Sequence, residues 1–230
     1  MSDYTPGYGR FGSAVATAQR NKVLRNTYWL LALSLLPTVL GAWIGVATGV
    51  TAYLGGGLGL VLFLAGAFGF MFAIEKTKDS AAGVAVLLGF TFFMGLMLSR
   101  LIAMVLGFRN GGELIMTAFG GTAGVFVVMA SLSTTIKRDL EGLSKWLFVG
   151  VLVLLVGGIV NAFVGSSAFM LVLSTLAIAV FSAFLLVDLK RIVDGGETNY
   201  ITATLAIYLN LFNIFQNLLA LLGIFGGERD

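Results

Sequence analysis

Read for apolar and polar positions alone, the chain alternates long apolar runs with short polar breaks. The runs fall at roughly 27–50, 52–74, 81–106, 114–136, 146–165, 168–189 and 200–222, and each has the ~20 residues a helix needs to cross a hydrocarbon core of about 30 Å. The pattern predicts an all-α, polytopic membrane protein, a bundle of seven transmembrane helices in one integral domain. The expected division is a flexible cytoplasmic tail over residues 1–26, a transmembrane domain over 27–222, and a short periplasmic C-terminal tail over 223–230. The tail has no apolar core and no small-residue cleavage site, so it reads as retained and not as a signal peptide. Pro37 falls inside the first run and is expected to bend that helix without breaking it.

The last run carries a second pattern. At about 100° per residue, Asn199, Ala203, Ala206, Asn210, Asn213 and Asn217 share one face, and Leu, Ile and Phe cover the rest. A helix divided this way is expected at the centre of the bundle with its small and polar stripe turned to neighbours. Amides there have two readings. They hold helices together, for about 0.6–2 kcal/mol each, or they line a functional polar interior. Asp188, near the end of the sixth run, is also open to two readings. It pairs at the interface with Lys190 and Arg191, or it packs inward on the face of Ser174, Ala177, Phe181 and Phe184, where a carboxylate is suited to proton-linked switching. Gly195-Gly196 then reverses the chain, Thr198 or Asn199 can cap the next helix, and with Lys190 and Arg191 this loop forms a plausible cytoplasmic contact surface.

Composition narrows the function classes. Hydrophobic residues make up 58% of the chain and charged residues 11%, against the ~25% charged content of soluble domains, which leaves no room for a second soluble domain. With no cysteine, disulfides and thiolate metal sites are excluded. With no histidine, so are Ser-His and Cys-His pairs, the HExxH zinc site and imidazole-held haem. No lysine lies within the seventh run, which disfavours a retinal Schiff base. An enzyme and a cofactor are therefore not expected.

The net charge of +3 is a matter of orientation and not of nucleic acid. If the runs alternate direction, one side collects Arg10, Arg20, Lys22, Arg25, Lys76, Lys78, Lys137, Arg138, Lys145, Lys190 and Arg191, and the other receives only Arg109 and Arg229. The N-terminus is then expected in the cytoplasm and the C-terminus outside. Arg100, inside the third run near its end, is expected to snorkel to the outer interface, with Glu113 as a possible ion-pair partner. Small-xxx-small spacing at Gly41, Gly45 and Gly49, and at Gly120 and Gly124, predicts close helix approach.

NKVLRNTYWLLALSL from Asn21, the GGTA run from Gly120 to Ala123, and above all DGGETNYITATLAIYLNLFNIF from Asp194 to Phe215 resemble the transmembrane Bax inhibitor family in its bacterial YccA-like branch. The resemblance spans nearly the whole chain. It implies a seven-helix bundle with the last helix surrounded by the other six. It also implies an acidic pair, one residue on each of the last two helices, that senses pH and gates a calcium or cation leak. Asp188 matches the first of these by position, but Asn210 stands where the second aspartate is usual, and the second run lacks an Arg that could latch onto Asp188. An Asp-Asn pair titrates as one group, which puts the leak in doubt. The YccA-like branch is associated instead with the FtsH-type membrane AAA protease and its HflK-HflC partners, as substrate and modulator. The tail, with Arg10, Arg20, Lys22 and Arg25, is the handle such a protease would pull. The resemblance thus favours an inner-membrane protease modulator over the alternative, a pH-sensitive calcium or cation leak channel gated through Asp188.

Overall fold

The computed structural model describes residues 8–53 and 56–228, with side chains described for 17–51 and 59–228. Among these residues the regular structure is helical throughout. It comprises α1 (Tyr8–Thr48), a short 3-10 turn (Val50–Tyr53), α2 (Gly56–Thr77), α3 (Ala81–Leu106), α4 (Gly111–Thr135), α5 (Glu141–Val164), α6 (Ser167–Val193) and α7 (Tyr200–Gly226). All seven helices are long and apolar enough to cross a membrane, as the run lengths require.

The largest departure from the sequence reading is at the front. The first helix starts at Tyr8 and not near residue 27, so most of the segment expected as a tail continues α1. Two contacts hold this part of the helix against the bundle. Val23 is buried in the main core, and the Arg20 guanidinium donates to the carbonyl of Val193 at the end of α6 at 3.1 Å. Residues 1–7 lie outside the described residues. Helix α1 runs on through Pro37.

The tightest pairing is α1 against α3, and glycine makes it possible. A Cβ on Gly41 would strike the backbone of Phe92, and one on Gly95 would strike the backbone of Thr38. The two backbones therefore approach as small residues allow where lipid supplies no hydrophobic drive. Gly45 likewise faces Ser99, whereas Gly120 and Gly124 have nothing near them and take no part in such a seam.

Helix α7 packs against α1, α2, α3, α4 and α6 and is the hub of the bundle. Helix α5 is the exception to the expectation that all six surround it, because it rests on α6 at the edge. The main core is built from Leu87, Phe90 and Met94 of α3, Leu185 and Leu189 of α6, and Ile201, Ile207 and Ile214 of α7. The two ends of the bundle are tied differently. At one end, the Asn199 amide donates to the Lys78 carbonyl at 3.0 Å and to Asp79 at 2.9 Å, joining the α6–α7 and α2–α3 loops. At the other, Asn110 donates to the Gly226 carbonyl at 2.6 Å and accepts from the Glu228 N–H at 3.1 Å, holding the end of the chain against the α3–α4 loop.

Candidate functional site

The site is built where α6 turns into α7. The turn needs one residue in the left-handed region, and Gly195 takes it with φ +83° at no steric cost. Asn199 then caps α7, its side-chain oxygen accepting from the N–H groups of Ile201 and Thr202 at 2.9 and 3.3 Å. A short loop and a firm cap make α6 and α7 antiparallel neighbours. Asp188 lies five residues before the end of α6 and Asn210 ten residues into α7. At a rise of about 1.5 Å per residue these depths differ by roughly 8 Å, but each side chain leans toward its own helix N-terminus. Asp188 therefore leans deeper, Asn210 leans back toward the loop, and they meet. The Asn210 amide donates to Asp188 Oδ2 at 2.7 Å.

Asn210 is buried at 6% exposure, while Asp188 is half-buried. The partner is chemically apt, because a neutral amide donates to a carboxylate without adding a second charge. The fields reaching Asp188 come from Arg191, which attracts its charge, and Glu197 in the loop, which repels it. Only one of the two paired groups titrates, so the shared proton of a carboxylate dyad has no place here. Among the described residues, no three acidic side chains gather into a group able to hold a metal ion.

The other predicted polar residues separate from this pair. The Asn213 amide donates to the Leu209 carbonyl and the Asn217 amide to the Asn213 carbonyl, both at 2.8 Å and both within α7. These donors satisfy their own helix, so neither amide supplies the cross-helix glue that the stripe suggested. Of the basic residues proposed as a handle, Arg20 is docked on α6, Lys22 and Arg25 are exposed, and the Arg10 side chain lies outside the described residues. Arg100 is exposed and forms no ion pair with Glu113. Lys190, expected on the contact surface, is instead buried at 8% exposure and reaches both oxygens of Asp194 at 2.5 Å.

The sequence reading missed a second polar junction at the hub. The hydroxyls of Tyr208 and Thr38 meet at 2.9 Å, and the Tyr208 hydroxyl also lies 3.4 Å from the Thr91 carbonyl, so one side chain of α7 links α1 and α3. Tyr208 is 2% exposed and packs edge-on against Phe90. Its signal was the phenol itself, since a buried Tyr carries an O–H that must find a partner.

The family model described as Inhibitor of apoptosis-promoting Bax1 matches residues 20–227. The chain is 37% identical over 210 residues to an Escherichia coli protein named Modulator of FtsH protease YccA, covering 91% of this chain and 92% of that one. A second Escherichia coli strain has a protein named Inner membrane protein YccA at the same identity and coverage. An uncharacterized membrane protein of Vibrio cholerae is 36% identical, over 96% of this chain and 97% of its own length.

Proposed function

The chain belongs to the Bax inhibitor family, and on that premise we propose that it is a multi-pass inner-membrane regulatory protein that binds and modulates an FtsH-type membrane AAA protease, without catalysis of its own. The observation that carries this reading is the likeness, along almost the whole of both chains, to a protein named as a modulator of that protease. The N-terminus is cytoplasmic and the C-terminus periplasmic, as the basic residues favour. The protease and its HflK-HflC partners engage the front of α1, where Arg10, Lys22 and Arg25 form the handle and Arg20, docked on the Val193 carbonyl, ties it to α6. Extraction then has to break the glycine seam between α1 and α3 and the polar junctions of α7. A substrate that resists extraction occupies the protease and so inhibits it.

The test is co-purification of the full chain with the membrane protease, compared with a form that lacks residues 1–16 and carries Lys22→Ser and Arg25→Ser, which leaves the docked Arg20 and the buried Val23 in place. The expected result is lost association and slower turnover of the shortened form. Association and turnover both unchanged would remove the handle.

A second reading, a pH-sensitive calcium or cation leak channel gated through Asp188, rests on one observation, a half-buried carboxylate of α6 facing the hub helix, and has against it that the partner it meets is the amide of Asn210 and not a second acid. Calcium flux into proteoliposomes across pH, for the wild type and Asp188→Asn, tests it. A flux that the substitution abolishes supports a leak, and no flux at any pH removes it.

A further inference from the structure

From the groove between α2, α3 and α7, at the end of the bundle opposite the α6–α7 loop, we infer a binding site for a phospholipid with an anionic headgroup, held by Arg100 with one acyl chain laid along the apolar wall. The groove has a volume of about 330 Å³, within the ~300–1,000 Å³ typical of small-molecule clefts. Among the described residues its polar lining is Thr51, Arg100 and Gln216, and Leu60, Phe63 and Phe212 are among its apolar lining.

Arg100 makes the case specific. It is an exposed cation six residues before the end of α3, so about 9 Å inside the helix end, at a depth where an uncompensated charge is expensive. Among the described residues it has no ion-pair partner. Arg100 can extend toward the interface, and the net negative charge it meets there is that of an anionic headgroup, whose phosphate, unlike that of phosphatidylcholine, has no cation of its own to neutralise it. Basic pockets between transmembrane helices recognise anionic headgroups on this principle.

The order of the lining fits an amphiphile. Thr51, just past the end of α1, is buried and shares a 2.8 Å hydrogen bond with Ser99, next to Arg100, which fixes the polar mouth against α3. Phe63 is a further turn into α2 than Gly59, and Phe212 lies farther from the end of α7 than Gln216. The wall of the groove thus carries Phe63 and Phe212 on facing helices inward of Thr51 and Arg100, a surface against which an acyl chain can lie.

The experiment is native mass spectrometry of the full chain, purified in neutral detergent and stripped of lipid, then titrated with phosphatidylglycerol, with phosphatidylcholine of the same chain length, and with inorganic phosphate. The wild type is expected to hold one phosphatidylglycerol roughly tenfold more tightly than phosphatidylcholine, the scale of one charge-assisted contact. Arg100→Gln is expected to lose that preference, Arg100→Lys to keep most of it, and Arg109→Gln, at the same end but outside the groove, to keep all of it. Thermal melting of each variant shows that it is folded. Equal binding of the two lipids by the wild type, an undiminished preference in Arg100→Gln, an equal loss in Arg109→Gln, or saturation by inorganic phosphate in place of the lipid would each overturn the site.

Discussion

Helices α5 and α7 both have the length and apolar character of a membrane span, and α5 is the more apolar of the two. Yet α7 is packed against five other helices and buries Ile201, Ile207, Asn210 and Ile214, whereas α5 rests on α6 with Leu147 as its buried residue. Trp146 and Phe163 of α5 are 76% and 88% exposed. In water this would be inverted, since the most apolar element would seek the core. In lipid, tails are as apolar as Leu, so hydropathy gives no reason to be inside, and packing and hydrogen bonding decide. The helix with polar and small residues to satisfy is the one at the centre.

The comparison is sharpened most by cutting side chains on each helix. Ile214→Ala leaves a void at a fully buried position and is expected to lower stability by about 2 kcal/mol or more, since lost contacts remain even where lipid cancels the transfer term. Val153→Ala on α5, at a position 61% exposed, is expected to change nothing measurable in the same denaturation in detergent micelles. Equal losses would break the distinction between hub and rim.

Removing the amide that meets Asp188 comes next. Asn210→Leu strands a half-buried carboxylate and is expected to cost about 1–3 kcal/mol, read from the same unfolding curves. Tyr208→Phe, which deletes the hydroxyl that joins α7 to Thr38, is expected to cost about 0.5–1.5 kcal/mol. The smallest effect belongs to Asn217→Leu, below about 0.5 kcal/mol, because that amide donates within its own helix. A cost for Asn217→Leu as large as that for Asn210→Leu would mean that the whole amide stripe, and not one residue of it, holds the bundle.

The membrane class, the number of helices and the hub position of α7 were legible in the chain, because span length and a polar stripe are one-dimensional signals. The pairing of Asp188 with Asn210 was legible only through the family resemblance, which matches both positions but leaves open whether the two side chains touch. The depth mismatch between them is closed by the lean of the side chains, which only the backbone geometry supplies. The start of α1 was not legible. Residues 8–26 are mostly polar or small, with no run apolar enough to mark a span, and a long-range side-chain tie there, Arg20 on the Val193 carbonyl, reaches across 173 positions of sequence. Nor was the fate of Asn213 and Asn217, since an amide on a helix can turn to a neighbour or back onto its own carbonyls, and spacing is the same for both. Lys190 has the sequence position of a surface cation, just before a loop, but its stem is buried and its ammonium reaches back out to the exposed Asp194.

The proposed modulation requires a hub that resists extraction while the protease is engaged. The most direct measurement is the rate at which an FtsH-type protease in proteoliposomes degrades a second membrane substrate, alone and with an equal amount of the full chain present. Slowed degradation, largely restored when the chain carries Asn210→Leu and unchanged when it carries Val153→Ala, is the predicted result. Degradation at the same rate with and without the wild-type chain would contradict it.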